Sequence, residues 1–290
     1  MKYALFLGCQ IPARLQSYEV SARKVLSEAL DIDLIDIKEF NCCGYPVKNF
    51  DYKAFILASA RNLALAEKKN LNILTLCQCC YGSLKKAEHL IKEDRAIKEW
   101  GNQILDKEGL EYNGKIKVRH FLSVLHHDVG LDAIAKKISR PFKRLKIATH
   151  YGCHALRPSE VVEFDDPVNP SIFDELVEAT GAKSVSWPMQ LECCGAPVSG
   201  VNDELAMDLT EKKIKNAKQA DADYLCTACP YCQMQFDTVQ NNIHTLRGGN
   251  HPLPSIIYPQ LLGLSMGMDA AALKIGENRI PITQITQFLS

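Results

Sequence analysis

Twelve cysteines in a chain of 290 residues fall into two copies of one pattern. The first runs Gly8-Cys9, then Cys42-Cys43-Gly44, then Cys77-Gln78-Cys79-Cys80. The second runs Gly152-Cys153, then Cys193-Cys194-Gly195, then Cys226, Cys229 and Cys232. Cys9 and Cys42 stand 33 positions apart, Cys153 and Cys193 stand 40 apart. From the pair to the closing cysteines the separation is 34 and 35 when Cys77/Cys80 is matched with Cys229/Cys232. Both pairs continue as Cys-Cys-Gly-x-Pro-Val. Thiols buried as small hydrophobes do not repeat in register, so the pattern marks a duplicated metal or cluster site.

A lone Cys, a Cys-Cys pair and a Cys-x-x-Cys offer five thiolates per copy. Structural zinc takes four ligands, usually as two closely spaced pairs, and adjacent cysteines diverge awkwardly for one zinc. A cubane iron–sulfur cluster also takes four thiolates. Five suit a larger or opened iron–sulfur assembly in which one thiolate bridges two irons. Cys79 and Cys226 are left over, and either can replace a neighbour: Cys226/Cys229 also reads as Cys-x-x-Cys, and Cys79 adjoins Cys80. Thiol exchange with Cys79 or Cys226 as attacker is the competing chemistry, but it needs a reactive thiolate and usually a resolving partner.

The elements that must position these thiols repeat as well. Tyr3 to Leu7, Leu34 to Ile37 and Leu71 to Leu76 read as buried strands, each leading to a cysteine group. Helical patterns fill the intervals, from about Ser17 to Leu30, around Ile56 to Ala66, and from about Tyr81 to Ile91. In the second half Leu145 to Thr149, Lys183 to Trp187 and Tyr224-Leu225 play the same part. Helices are expected near Ile172 to Thr180 and Asp203 to Ala220. Such alternation indicates an α/β fold with a small parallel sheet flanked by helices in each half. In a parallel sheet the strand C-termini share one edge, where ligand sites collect. The expected domains are 1–140 and 141–290, joined near Arg140-Pro141-Phe142-Lys143-Arg144. The segment 248–254 reads as a loop, followed by an apolar helical stretch from about Tyr258 to Met268. Gly44 and Gly195 should permit a tight turn beside each pair, with Pro46 and Pro197 fixing its exit.

The 34 basic and 34 acidic residues balance, which argues against nucleic acid or a membrane surface as the main partner. The apolar N-terminal run before Gly8 is too short for a secretory signal, and no segment reaches a spanning length. The expectation is a cytoplasmic chain in a reducing compartment, where many cysteines mean metal or redox chemistry rather than disulfides. No Gly-x-Gly-x-x-Gly or Gly-Lys-Ser/Thr element is present, so no flavin or nucleotide is expected in this chain.

The pattern Cys-x32-Cys-Cys-Gly-x32-Cys-x-x-Cys and its second copy resemble the cysteine-rich CCG domain. Two CCG domains in 290 residues, related by internal duplication, resemble the B subunits of heterodisulfide reductases from methanogenic archaea. The similarity includes Phe6-Leu7-Gly8-Cys9 with Pro12 and Arg14, and Gly152-Cys153-His154-Ala155-Leu156-Arg157-Pro158. Phe164-Asp165-Asp166-Pro167 and Gln260-Leu261-Leu262-Gly263-Leu264 extend it. The resemblance implies two noncubane 4Fe–4S clusters. Their ligands would be Cys9, Cys42, Cys43, Cys77 and Cys80, then Cys153, Cys193, Cys194, Cys229 and Cys232.

It also implies an oxidoreductase of methanogenesis that cleaves the coenzyme M–coenzyme B disulfide to two thiols, each cluster supplying one electron. Partners would be the heterodisulfide reductase C subunit with cubane iron–sulfur clusters and the flavin-bearing A subunit, with a hydrogenase or dehydrogenase upstream. Leu261 to Leu264 is a candidate docking segment, with core packing as its alternative use. The substrate's anionic groups call for cations, for which Arg14 and Arg157 are candidates, with Lys48 behind them. His154 is a candidate proton donor or hydrogen-bond partner of a sulfur. Two other readings remain open. One is an electron-transfer subunit of a glycolate, lactate or succinate dehydrogenase or a thiol:fumarate reductase, and the other is a double zinc interaction module.

Overall fold

In the computed structural model, which describes residues 1–248 and 252–290, two four-stranded parallel sheets repeat one topology. The first comprises β1 (Lys2–Phe6), β2 (Asp33–Asp36), β3 (Ile73–Thr75) and β4 (Val118–His120), in the order β2-β1-β3-β4. The second comprises β5 (Lys146–His150), β6 (Lys183–Ser184), β7 (Tyr224–Thr227) and β8 (Ser255–Ile257), in the order β6-β5-β7-β8. The central strands are buried on both faces, which is why Ala4-Leu5-Phe6 and Ile73-Leu74 read as continuous apolar runs rather than alternating ones.

The expected helices form at Gln16–Arg23, Tyr52–Lys68, Gln78–Glu93, Ile172–Ala179, Asp203–Gln219 and Tyr258–Ser265. Asp51 and Asn202 cap two of them, each side chain accepting a backbone N–H at 2.9 and 3.0 Å, which satisfies one of the free donors of a first turn. Gln16–Arg23 continues as a π-helical turn, Lys24–Ala29.

Three differences stand out. Each sheet carries a fourth strand, β4 and β8, that the sequence reading leaves out. The strand expected from Lys183 to Trp187 stops at Ser184, because the buried Trp187 ring turns inward and its Nε1 donates to Thr149 O at 2.9 Å. The segment 140–144 is more than a joint, since Phe142 bridges Leu289 and Lys143 N donates to Phe288 O at 2.7 Å. Gly249, Asn250 and His251 of the expected loop lie outside the described residues.

The halves interlock. The helical turns Phe121–Ser123 and Val124–Val129, which follow β4, pack on Ile172–Ala179 of the second half. There His126 Nε2 lies 2.7 Å from the Glu175 carboxylate. Reciprocally, Tyr258–Ser265, which follows β8, packs on Gln16–Arg23 of the first half. Leu261, Leu262 and Leu264 of that helix are buried, so core packing, not docking, is their use. A file of buried rings, Tyr18, Phe121, Tyr258, Phe173 and Tyr151, crosses the boundary with neighbouring centroids 6.1, 6.3, 5.7 and 5.7 Å apart. Aromatic contacts of this kind contribute about 0.5–1.5 kcal/mol each beyond their burial.

Because each half is completed by the other, the chain should unfold in one step. In a W100F variant, the fluorescence of Trp187 in the second half and the far-ultraviolet circular dichroism of the whole chain should share one urea midpoint. Two separated transitions would show independent halves.

Candidate metal centre

The strand order decides where the thiols go. Cys9, the Cys42-Cys43 pair and Cys77 follow the C-terminal ends of β1, β2 and β3, and Cys153, Cys193-Cys194 and Cys229 follow β5, β6 and β7. Gly44 and Gly195 turn the chain just after each pair at φ +85° and +98°. A Cβ there would lie 2.9 Å from Phe55 O and 2.7 Å from Ala206 O, so backbone conformation and space both require glycine. Ser59 Oγ donates to Cys43 O at 2.6 Å and Thr210 Oγ1 to Cys194 O at 3.0 Å, fixing the two loops from equivalent helix positions.

The sulfurs form one unbroken line. Cys9 and Cys42 are 3.8 Å apart; Cys42 contacts Cys43, Cys43 contacts Cys80, and Cys80 contacts Cys77. Cys77 then meets Cys229 across the boundary between the halves. From Cys229 the contacts pass to Cys232, Cys194, Cys193 and Cys153. The line is thus two nests of five, bridged at one point, and six of its ten side chains are buried. Cys226 stands apart: it is a fully buried residue of β7, not of the loop beyond it. Cys79 does not replace Cys80 in the first nest but turns toward the second half. Its sulfur, with those of Cys77 and Cys229, fits within 4.8 Å, and His154 Nδ1 lies 3.0 Å from it.

The electrostatics of the nests show what they lack. Thiol donors at Cys42 and Cys80 hold Cys43 well below the ordinary cysteine value, and donors at Cys153 and Cys194 do the same for Cys193. Against its burial, Cys229 is also held low by thiols at Cys232, Cys77 and Cys79. Contacts from Cys229 and Cys77, with burial, push Cys79 well up, and Cys43 and Cys77 do so for Cys80. A few thiols ionise only because their neighbours stay protonated. Many thiolates together at this depth need cations among them, and the donor set is the one that iron–sulfur clusters use.

Polar groups absent from the sequence reading surround the second nest. His150, the last residue of β5, is buried with no hydrogen-bond partner on either ring nitrogen, and lies within 4.8 Å of the Cys194 and Cys232 sulfurs. Lys213 is fully buried and donates to Glu192 O at 3.0 Å and to Met189 O. Burial lowers its ammonium to about 8, while the charges of Cys194 and Cys232 act in the opposite sense. Burial also lowers the His154 imidazole, and the nearby Lys48 charge adds to this.

Of the expected cations, Arg14 lines a cavity of about 620 Å³ with Gln10, Tyr231, Asp237 and Arg279. Gln10 reaches from there to the Cys9 sulfur, 3.9 Å away. Arg157 is exposed and borders neither this cavity nor the smaller ones at the thiols, and the helix Ser159–Val162 that follows packs on Gln78–Glu93 through buried Val161 and Val162. Lys48 is exposed, with its Nζ 5.9 Å from the Phe55 ring centroid.

Residues 3–85 and 147–237 match the CCG family, a cysteine-rich domain, one copy in each half. The chain belongs to the cysteine-rich CCG family. A relative, the B subunit of the ferredoxin:CoB-CoM heterodisulfide reductase of Methanosarcina mazei, is 37% identical over 96% of this chain and 94% of its own length. An 8-methylmenaquinol:fumarate reductase membrane anchor subunit of Wolinella succinogenes is 34% identical over 98% of this chain and 99% of its own. A hypothetical protein from Helicobacter pylori shares the fold, with a TM-score of 0.74 and 18% identity, over 97% of this chain and 52% of that one. The Methanosarcina and Wolinella relatives support an iron–sulfur, electron-transferring component of a multi-subunit reductase. Among the described residues, no helix is long and apolar enough to cross a membrane.

One further residue belongs to the site. Gly82, inside the helix Gln78–Glu93, lets the His154 backbone approach so closely that a Cβ would lie 2.9 Å from His154 O. A glycine within a strong helical pattern is the sequence signal for such an approach. Replacing Gly82 by Ala gains up to ~1 kcal/mol of helix propensity but overpacks backbone, which costs about 1–3 kcal/mol. G82A should therefore be less stable in urea and hold iron less tightly. An unchanged midpoint with wild-type iron content would show that the boundary yields.

Proposed function

We propose that this chain is the disulfide-cleaving B subunit of a heterodisulfide reductase, acting on the coenzyme M–coenzyme B disulfide in methanogenesis. The observation that carries this reading is the unbroken thiol line through Cys77 and Cys229, which brings two cluster sites to one boundary. In the full reading two noncubane 4Fe–4S clusters are held by Cys9, Cys42, Cys43, Cys77 and Cys80, and by Cys153, Cys193, Cys194, Cys229 and Cys232. The reaction takes two electrons and two protons, breaks one S–S bond and releases two thiols. When bound, the clusters supply the electrons, one each.

The chain's own residues do the rest. Arg14 and Arg279 offer cations in the lining of the 620 Å³ cavity for an anionic arm of the disulfide. His154 holds a proton at the boundary, beside the Cys79 sulfur, where a departing thiolate requires one. Tyr45 and Tyr231 border the small cavities at the thiols and keep them narrow, which limits water there. Electrons arrive from the C subunit with its cubane clusters and the flavin-bearing A subunit, and the chain works in the cytoplasm. Cys79 is not among the proposed ligands; its contacts leave it between the two sites.

A second reading has a specific observation behind it. The Wolinella relative aligns over essentially its whole length, so this chain would instead pass electrons within a fumarate reductase type of complex. Disulfide cleavage separates the two.

Anaerobically purified chain should contain about eight iron and a near-equal amount of sulfide. With a reduced viologen as donor it should cleave the heterodisulfide. Reversible reduction of the iron without cleavage would favour the second reading, and zinc with little iron would overturn both. R14A should raise KM for the anionic disulfide about tenfold, equivalent to about 1.4 kcal/mol, with kcat retained. A KM left at the wild-type value would remove Arg14 from the binding site.

A further inference from the structure

The two halves hold their cysteine-pair loops with residues of different charge. Ser59 and Thr210 bond the carbonyls of Cys43 and Cys194 from equivalent places on Tyr52–Lys68 and Asp203–Gln219. Three residues farther along, the first half has Asn62 and the second has Lys213. Asn62 Nδ2 donates to Asn41 O at 3.2 Å and Cys42 O at 3.4 Å, and Asn62 Oδ1 accepts from Asn41 N at 3.0 Å. Lys213 donates to the carbonyls of Met189 and Glu192, with its Nζ 4.7 Å from the centroid of the Trp187 ring. Both side chains tether the loop ahead of the pair and both are fully buried. Only one of them carries a positive charge.

Taking up an electron makes a cluster more negative, and a nearby buried cation stabilises that form far more than a solvated one does. Among the described residues no carboxylate lies in hydrogen-bonding contact with Lys213, whose polar contacts are carbonyl oxygens, while the charge of Glu192 helps to keep it protonated. A cation does contact the first pair's loop: Arg61 bonds Glu39 O and Asn41 Oδ1, but it is paired with Glu108 at 2.8 Å and is partly exposed. Its counterpart on the second helix, Lys212, is exposed. A second position biases the sites in the same sense. His150, a polar ring near the Cys194 and Cys232 sulfurs, occupies the place that Phe6 has at the end of β1, and hydrogen-bonding capacity toward sulfur raises a potential.

We infer that Lys213 sets the two iron–sulfur sites apart in reduction potential, making the Cys153/Cys193/Cys194/Cys229/Cys232 site the easier to reduce. This rests on the reading that each half holds a cluster. Lys213 is a positioning and tuning residue: it tethers the loop as Asn62 does, and in addition it draws the first electron to the second half. A two-electron cleavage then starts from an ordered pair of sites, one charged before the other.

The test is a redox titration of the whole, iron-loaded chain followed by electron paramagnetic resonance, on wild type, K213N, K213R and N62K. Each of K213N and N62K introduces the residue that the other half already uses. Wild type should show two separate steps. K213N should move the higher step to lower potential and leave the lower one in place, K213R should keep both, and N62K should move the lower step up. Iron-replete K213N with both steps unmoved overturns the inference. If K213N fails to retain iron in the second half, N62K decides, and an unmoved lower step overturns it. If neither variant loads, a wild type that titrates in a single step overturns it and a resolved pair of steps supports it. A wild type that takes up no iron at all would instead sink the cluster reading on which the inference rests.

Discussion

Parallel pairing with one strand order, β2-β1-β3-β4 and again β6-β5-β7-β8, is the constraint on which the rest depends. Parallel strands must all end on the same side, so three separate loops per half deliver their cysteines to one edge. The central strand, β1 or β5, sends its chain outward to one neighbour, and the next strand returns on the other side. The strand that leads to the lone cysteine therefore runs between those that lead to the pair and to the Cys-x-x-Cys, and the sulfurs of Cys9 and Cys153 reach over the pairs to end the line. Glycines at Gly44 and Gly195 are then forced, because the loop must reverse against the helix that follows it. A duplicated sheet has two such edges, and the contact of Cys77 with Cys229 places them against one another.

Holding the two edges together is the work of the segments beyond the fourth strands. Phe121–Ser123 and its continuation bind the second half, and Tyr258–Ser265 binds the first. The exchange buries Tyr18, Phe121 and Tyr258 in a common file of rings. Tyr258 OH also donates to Leu176 O at 2.8 Å within the second half, fixing the ring that meets Phe121. Gly82 is the complement of this tightness: one position in a helix has to lack a side chain so that the His154 backbone can reach it. The approach of His154 to Cys79 thus depends on how closely the two halves pack.

Much of this was legible in the sequence, and what was not has physical reasons. Repetition of cysteine groups in register is visible in the sequence alone, and strands alternating with helices point to parallel pairing. The fourth strands, Val118–His120 and Ser255–Ile257, escaped because three residues are too few for a periodic signal and both carry polar side chains, His120 and Ser255, that are buried all the same. Lys213 escaped because it stands among Glu211, Lys212 and Lys215 on a helix that reads as solvated on that face. His150 escaped because it lies one residue beyond the strand expected from Leu145 to Thr149. Arg157 stands close to Cys153 in sequence, yet it is exposed and borders none of the cavities at the thiols.

Where the halves match and where they differ is itself an argument about the site. The loop glycines, the prolines after them, the Ser59/Thr210 tethers and the five cysteines of each pattern recur. The differences lie around them: Phe6 against His150, Gln10 against His154, Asn62 against Lys213, and Cys79 against Tyr231. Had the duplication served only to double a structural metal site, the buried surroundings would have little reason to diverge in charge, because a buried unpaired ammonium is costly. The first half contributes an extra thiol at the boundary and a neutral lining. The second contributes an imidazole at the boundary and a buried cation. Two sites that must do different parts of one reaction, such as parting the two sulfurs of an unsymmetrical disulfide, call for this kind of divergence around a common set of ligands.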